Sequence, residues 1–297
     1  MSQTQDRWAK WLLETRFGGD EEYAQRDLAV LRSVRDRILD NASIREGDVL
    51  LDVGAGDGLV GFGAVDRAGP SGRVIFSDVS AELVERCKEI AAQIAGETEF
   101  DFVVASAQDL SSVEDASVDV VTTRSVLIYV ADKDAALRAF YRVLRPGGRI
   151  SLFEPINKFN IDHGPDTRFW GYDVTAIKGI VDKVMAAYRA DGPSLEEDPM
   201  FNFDERDLLA SVERVGFGEL ALDYEVRIGK PPPVGGPIRW DAFYNQSGNP
   251  NEPTVREVVE RALDADEAHQ FERHLRPLVE RGEGVRYFAE VYLHAVK

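Results

Sequence analysis

Val49-Leu-Leu-Asp-Val-Gly-Ala-Gly-Asp-Gly58 decides how this chain is read. Val49 to Val53 is a short, largely apolar run of the kind that forms a buried strand. It leads directly into three alternating glycines. Where a central strand ends and must turn sharply into a helix, glycine permits positive φ and lets a ligand approach the backbone. The unpaired N–H groups at the start of the next helix then favour a negative group. Asp52-Val-Gly-Ala-Gly-Asp-Gly58 fits Asp-x-Gly-x-Gly-x-Gly. Gly56-Asp-Gly-Leu-Val-Gly61 also fits the dinucleotide fingerprint. The loop therefore leaves open two nucleoside cofactors, or a tight turn that holds nothing.

Outward from this loop, strand and helix patterns alternate. Helices are expected at 59–68, 81–95 (with Ser80 as cap) and near 132–145; strands are expected at 73–78, 100–104, 117–123 and 149–153. Arg145-Pro-Gly-Gly148 reads as a turn before the last of these. Strands alternating with helices imply a parallel sheet covered on both faces. Upstream, Trp8, Trp11, Leu12, Leu13 and Phe17 suit a short amphipathic helix closed by Gly18-Gly19. Asp20 then caps a second helix over 21–41. Downstream, 155–203 is irregular apart from a helical piece at 177–190. A helix (205–215), Gly216 and a strand (220–228) restore the pattern. A second irregular stretch opens with Pro231-Pro-Pro-Val-Gly-Gly-Pro237. Helices near 253–263 and 266–281 then lead to a final strand, 285–296.

Three more segments bear on the cofactor. Asp78 ends the second strand about 20 residues past the loop, where a carboxylate accepts ribose hydroxyls. Ser106-Ala-Gln-Asp-Leu110 follows the third strand, where a polar loop can read an adenine edge. Val143-Leu-Arg-Pro-Gly-Gly-Arg-Ile150 precedes the fifth. In this order and spacing, the four segments resemble class I S-adenosyl-L-methionine-dependent methyltransferases. The Leu-Arg-Pro-Gly-Gly turn is similar to the small-molecule branch that includes quinone-biosynthesis enzymes. The resemblance is good over about residues 45–155.

It implies an α/β fold: a Rossmann-like, doubly wound, mostly parallel seven-stranded sheet, its last strand antiparallel, with helical lid insertions. The implied cofactor is S-adenosyl-L-methionine. Gly54, Ala55, Gly56 and Gly58 would line its methionine part, with Asp52 organising the loop. Asp78 would bind the ribose and Val79 would pack on the adenine, flanked by Ala107, Gln108 and Asp109. For Asp109 a turn cap is an equal alternative. Arg124 would sit beneath the sulfonium and carboxylate region. The implied domains are an N-terminal helical lid (1–44), a core (45–228 and 285–297) with an insertion at 155–203, and a second lid insertion (229–284).

The acceptor is less legible. Tyr129, Phe153, Glu154, His163, Phe169, Trp170, Tyr172, Trp240, Phe243 and Tyr244 lie in or near the irregular stretches. Such rings suit an apolar or aromatic small molecule, though most are expected to form the lids' own core. Methyl transfer needs alignment and water exclusion, and a base only if the acceptor must lose a proton. His163 and Glu154 are the candidate bases.

Charge narrows the partners. With 35 basic and 53 acidic side chains the net charge is −18, which repels phosphate backbones and anionic surfaces. The expected partner is a small-molecule methyl acceptor, with no nucleic acid and no membrane. One cysteine, Cys87, excludes an internal disulfide and a cysteine-built metal site. It reads as a small buried residue, and the four histidines show no metal spacing. Without a signal pattern or an apolar span, a cytoplasmic monomer or homodimer is expected. Two other functions stay open: an NAD(P)-dependent oxidoreductase, although no Tyr-x-x-x-Lys pair is present, and a non-catalytic cofactor-binding regulator.

Overall fold

The alternation expected around the glycine loop is present in the computed structural model, which describes residues 6–94, 96–190, 192–230 and 236–297. In chain order the first elements are α1 (Arg7–Lys10), a π-helical turn (Trp11–Thr15), α2 (Glu21–Ala42), β1 (Val49–Val53), α3 (Leu59–Ala68), β2 (Arg73–Asp78), α4 (Ala81–Ala91) and β3 (Glu99–Val104). Then come β4 (Val118–Arg124), a 3-10 turn (Leu127–Tyr129), α5 (Lys133–Val143), β5 (Leu144–Pro155), α6 (Asn157–His163), β6 (Arg168–Phe169), β7 (Tyr172–Asp173) and a 3-10 turn (Thr175–Ile177). The chain finishes with α7 (Lys178–Arg189), α8 (Glu205–Val215), β8 (Gly218–Gly229), α9 (Trp240–Asn245), α10 (Val255–Ala262), α11 (Ala265–Glu280) and β9 (Arg286–Val296).

Seven strands form one sheet in the order β3-β2-β1-β4-β5-β9-β8. Six are parallel, and β9 is antiparallel to β5. The expected sheet is therefore correct. Its central strands are apolar because both of their faces are covered: Leu50, Leu51, Val53, Val74, Phe76, Val120 and Val121 are all buried. Register places Asp52 beside Phe76 and Thr122, so these side chains share one face. The expected turn at 145–148 lies inside β5. Val118 pairs with Leu144 and Val120 with Arg149, so the intervening residues are looped out of the ladder.

The chain divides into two compact units. One comprises Leu31–Lys158, Pro199–Glu225 and Ala289–Lys297 and holds the sheet. Its helices are locally encoded. Ser80 caps α4 by accepting the Leu83 N–H at 3.0 Å. Asp204 and Asp207 form a capping box on α8, which ends at Gly216 with φ 104°.

The other unit comprises the described residues of Met1–Val30, Phe159–Asp198 and Val226–Phe288. It has its own apolar core, in which Phe169, Tyr172, Trp240 and Phe243 are buried and Trp170 and Tyr244 pack against them. The aromatic rings of the irregular stretches thus chiefly build this core. Trp11 donates from Nε1 to the Ser247 carbonyl at 3.1 Å. Arg16 pairs with Asp27 at 3.1 Å and lies over the Trp11 and Phe17 rings.

Some expectations need correction. The first helix is a single α turn followed by a π turn, and α4 stops at Ala91. The helices α6 and α9 and the β6–β7 hairpin lie in stretches read as irregular. Met1–Gln5, Ala95 and Pro231–Gly235, on which parts of the leader, helix and loop readings fell, lie outside the described residues. Among the described residues no helix is long and apolar enough to cross a membrane, and no group of three or more His, Cys, Asp or Glu could hold a metal.

Candidate active site

The glycine loop leaves β1 with Gly54, Gly56 and Gly58 all at positive φ (67°, 59° and 87°). At Gly54 a side chain is excluded twice, by the backbone and because a Cβ there would overlap Val126. The loop is held by side chains from two strands and a helix. Asp52, on β1, is fully buried: Oδ2 accepts the Gly61 N–H at 2.8 Å and Oδ1 accepts the Thr122 hydroxyl at 3.0 Å. This ties β1 to β4 and to the first turn of α3. Burial pushes the Asp52 carboxyl up to about 7, against those two donors and the Arg124 charge.

Asp78, buried at the end of β2, accepts the Gly56 N–H at Oδ2 and the Ser80 N–H at Oδ1, each at 2.9 Å. A carboxylate oxygen can accept more than one hydrogen bond, so holding the loop is compatible with taking a ligand hydroxyl. On the far side of the same loop residue, Cys87 donates from Sγ to the Gly56 carbonyl at 3.3 Å. Burial raises the Cys87 thiol to about 12, which keeps it a donor. Val79, next to Asp78, is 50% exposed. An exposed valine beside a buried aspartate is what a base and its ribose require: an apolar surface and a polar grip on adjacent residues.

At the end of β3, Ala107 is buried while Gln108 and Asp109 are exposed. Asp109 accepts the Ser111 N–H at 3.0 Å, so its turn-capping alternative is realised. Arg124 is the last residue of β4, and its charge acts on Asp52. Ser125 follows at φ 56°, its N–H donating to the Phe153 carbonyl at 2.8 Å. After this strained residue the Val126, Leu127 and Ile128 N–H groups point at one carboxylate.

That carboxylate is Glu154. It is fully buried, with Oε1 accepting from Val126 and Leu127 at 2.9 Å each and Oε2 accepting from Ile128 at 3.0 Å. Burial raises it to about 7 despite these donors. Both Glu154 oxygens are thus engaged by the loop whose Val126 side chain lies against Gly54. His163, the other candidate base, is exposed on α6 with its ring 4.6 Å from that of Phe159. It falls in the other unit from Glu154.

Asp78 is thus bonded directly to the glycine loop at Gly56 and Asp52 to Gly61 in the helix that follows it, with the Ala107–Asp109 turn and Arg124 at the ends of β3 and β4 of the same sheet. Thr122, Val126 and Cys87 were not anticipated. Cys87 alone left a trace in the sequence, as an apolar position seven residues after the Ser80 cap. The ensemble fits S-adenosyl-L-methionine: an open glycine backbone at a helix start, a buried carboxylate with acceptor capacity, and an apolar platform beside it.

Comparison with known proteins agrees. Curated methyltransferases are among the proteins that match in part. The ubiquinone/menaquinone biosynthesis C-methyltransferase UbiE of Xanthomonas oryzae pv. oryzae is 33% identical over 127 residues, 43% of this chain and 50% of that protein. The tRNA 5-carboxymethoxyuridine methyltransferase of Escherichia coli K12 is 34% identical over 124 residues, 42% of this chain and 46% of that protein. The chain thus spans about half the length of these curated relatives. The fold also matches a chain from a Haloferax volcanii complex between the Trm112 methyltransferase activator and its candidate methyltransferase. That match has a TM-score of 0.52 and 17% identity, and covers 99% of each chain. The model of the ubiE/COQ5 methyltransferase family matches residues 27–219, well over half of the 297, and the chain belongs to that family.

Proposed function

We propose that this chain transfers a methyl group from S-adenosyl-L-methionine to a small, partly apolar or aromatic acceptor. The observation that carries the reading is the Asp52- and Asp78-anchored glycine loop beside exposed Val79, supported by the family. When bound, the cofactor supplies an activated methyl group on a sulfonium, so transfer needs alignment and water exclusion more than acid–base help.

The chain's residues divide that work. Gly54, Ala55, Gly56 and Gly58 offer backbone to the methionine part, with Asp52 fixing their conformation through Gly61 and Thr122. Asp78 accepts the ribose hydroxyls while it holds Gly56. Val79 packs on the adenine, and Ala107, Gln108 and Asp109 bound it. Arg124 provides positive charge near the carboxylate region. Glu154 acts as a positioning residue through Val126. Neither Glu154 nor His163 is assigned the role of base.

The net charge of −18 favours a small acceptor over tRNA. The test is label transfer from methyl-labelled cofactor to a panel of phenols, amines and carbon acid acceptors, with unmodified tRNA alongside. Transfer to a small molecule and none to tRNA is expected. Transfer to tRNA alone would overturn the acceptor class. An oxidoreductase reading has nothing in its favour beyond the glycine fingerprint and the Asp78 position, both of which the two cofactors share.

A further inference from the structure

The unit built on the aromatic core holds a polar cluster that the cofactor site does not use. Trp170 and Gly171 are the two turn residues of the β6–β7 hairpin, between paired Phe169 and Tyr172. Both have positive φ, 52° and 90°. Such a turn favours Asn-Gly, and a bulky side chain in its first position is strained. A strained residue that persists is held by its surroundings, and such residues gather at binding sites.

The indole and a carboxylate approach the same glycine. A Cβ built on Gly248 would lie 3.0 Å from Glu252 Oε2 and 3.5 Å from Trp170 Cη2, so the two side chains converge over this glycine. Ser247 fixes the segment. Its hydroxyl donates to the Asn249 carbonyl at 2.6 Å or to that of Glu252 at 3.0 Å, and its N–H donates to the Thr15 carbonyl at 3.0 Å. The groups acting on Glu252 are burial, which raises it, the Asn249 side chain, which stabilises its charge, and Asp198, which adds a second negative charge. One donor is left over. The Tyr188 hydroxyl is buried without a hydrogen-bond partner; the Trp170 side chain is near enough to act on the phenol but forms no well-aligned bond. Buried polar groups of this kind are normally satisfied.

A buried carboxylate that feels a second negative charge, with an indole and a phenol close by, is suited to a cation. We propose that Trp170, Tyr188, Asn249 and Glu252 form a recognition site for the ammonium group of a small amine. The ammonium donates to Glu252 and lies against the Trp170 ring. The Tyr188 hydroxyl serves a polar atom elsewhere on the ligand. The inference is independent of methyl transfer, because a chain that bound no adenosyl cofactor could still hold an amine here.

The test is calorimetry on the full chain with phenethylamine, 2-phenylethanol and phenylacetate. Phenethylamine is expected to bind saturably, at least about tenfold tighter than the alcohol, with no heat from phenylacetate. Glu252→Gln is expected to weaken it at least about tenfold. So is Trp170→Asn, which suits the turn but removes the ring. Circular dichroism checks each fold, so one folded variant suffices to decide. Equal binding of the alcohol, no heat with phenethylamine, or unchanged affinity in a folded variant would overturn the proposal.

Discussion

The Gly56 N–H donates a 2.9 Å hydrogen bond to Oδ2 of Asp78, joining the glycine loop to the end of the neighbouring strand. One carboxylate therefore shapes the loop and, in the proposed function, grips the ribose. Asp78→Ala removes both interactions. Adenosylhomocysteine affinity is expected to fall by about 1–3 kcal/mol, roughly fivefold to 150-fold. Titration calorimetry measures it, and an unchanged dissociation constant would remove Asp78 from the site.

Gly54 has no room for a side chain beside Val126 and sits at φ 67°. Gly54→Ala is expected to lower stability by about 1–3 kcal/mol through backbone strain and overlap. Adding Val126→Ala should restore the part due to overlap and leave the part due to φ. Thermal melts of the single and double variants separate the two. Strict additivity would mean that the residues do not touch.

Glu154 gathers three backbone N–H groups that have no other acceptor among the bonds described here. Glu154→Gln places an N–H₂ where one of them needs an oxygen, at a cost of about 1–3 kcal/mol. If Glu154 positions Val126 and does not abstract protons, cofactor affinity should drop in this variant while the pH profile of turnover keeps its shape. Loss of an ionisation limb from that profile would restore the candidate-base reading.

Asp52 is raised by burial from an ordinary value of 3.8 to about 7. A folded-state value above the unfolded one gives stability that is complete below about 4 and is lost as pH rises through about 7. Between those limits the unfolded chain ionises Asp52 and the folded chain resists. Asp52→Asn should flatten this part of the stability–pH curve, because its amide can accept from Gly61 and donate to Thr122. Urea denaturation at pH 5 and pH 7.5 compares the two proteins, and an equal slope in both would exclude the effect.

Much of the sheet was legible because β1, β2 and β3 are short runs joined by α3 and α4, the latter with a recognisable cap at Ser80. The second unit was not. The β6–β7 hairpin has two residues per strand and α9 has six residues, too few to establish a period. The same limit applies to side-chain roles. Asp78 was visible from its place at a strand end. Asp52 was expected to organise the loop, but its Thr122 partner and the N–H groups of Glu154 were not visible, because they come from far along the chain: Thr122 lies 70 residues from Asp52, and the N–H groups that Glu154 collects lie 26 to 28 residues before it. Asp109 shows the opposite case, a local turn cap that the pattern Ser-Ala-Gln-Asp already allowed.

The central claim is that the loop from Gly54 to Gly58 holds an adenosyl cofactor. Titration calorimetry of the full chain with adenosylhomocysteine, and separately with NADH, tests it most directly. The expected result is one-site binding of adenosylhomocysteine in the micromolar range, with no heat from NADH. Binding of NADH with none of adenosylhomocysteine would contradict it.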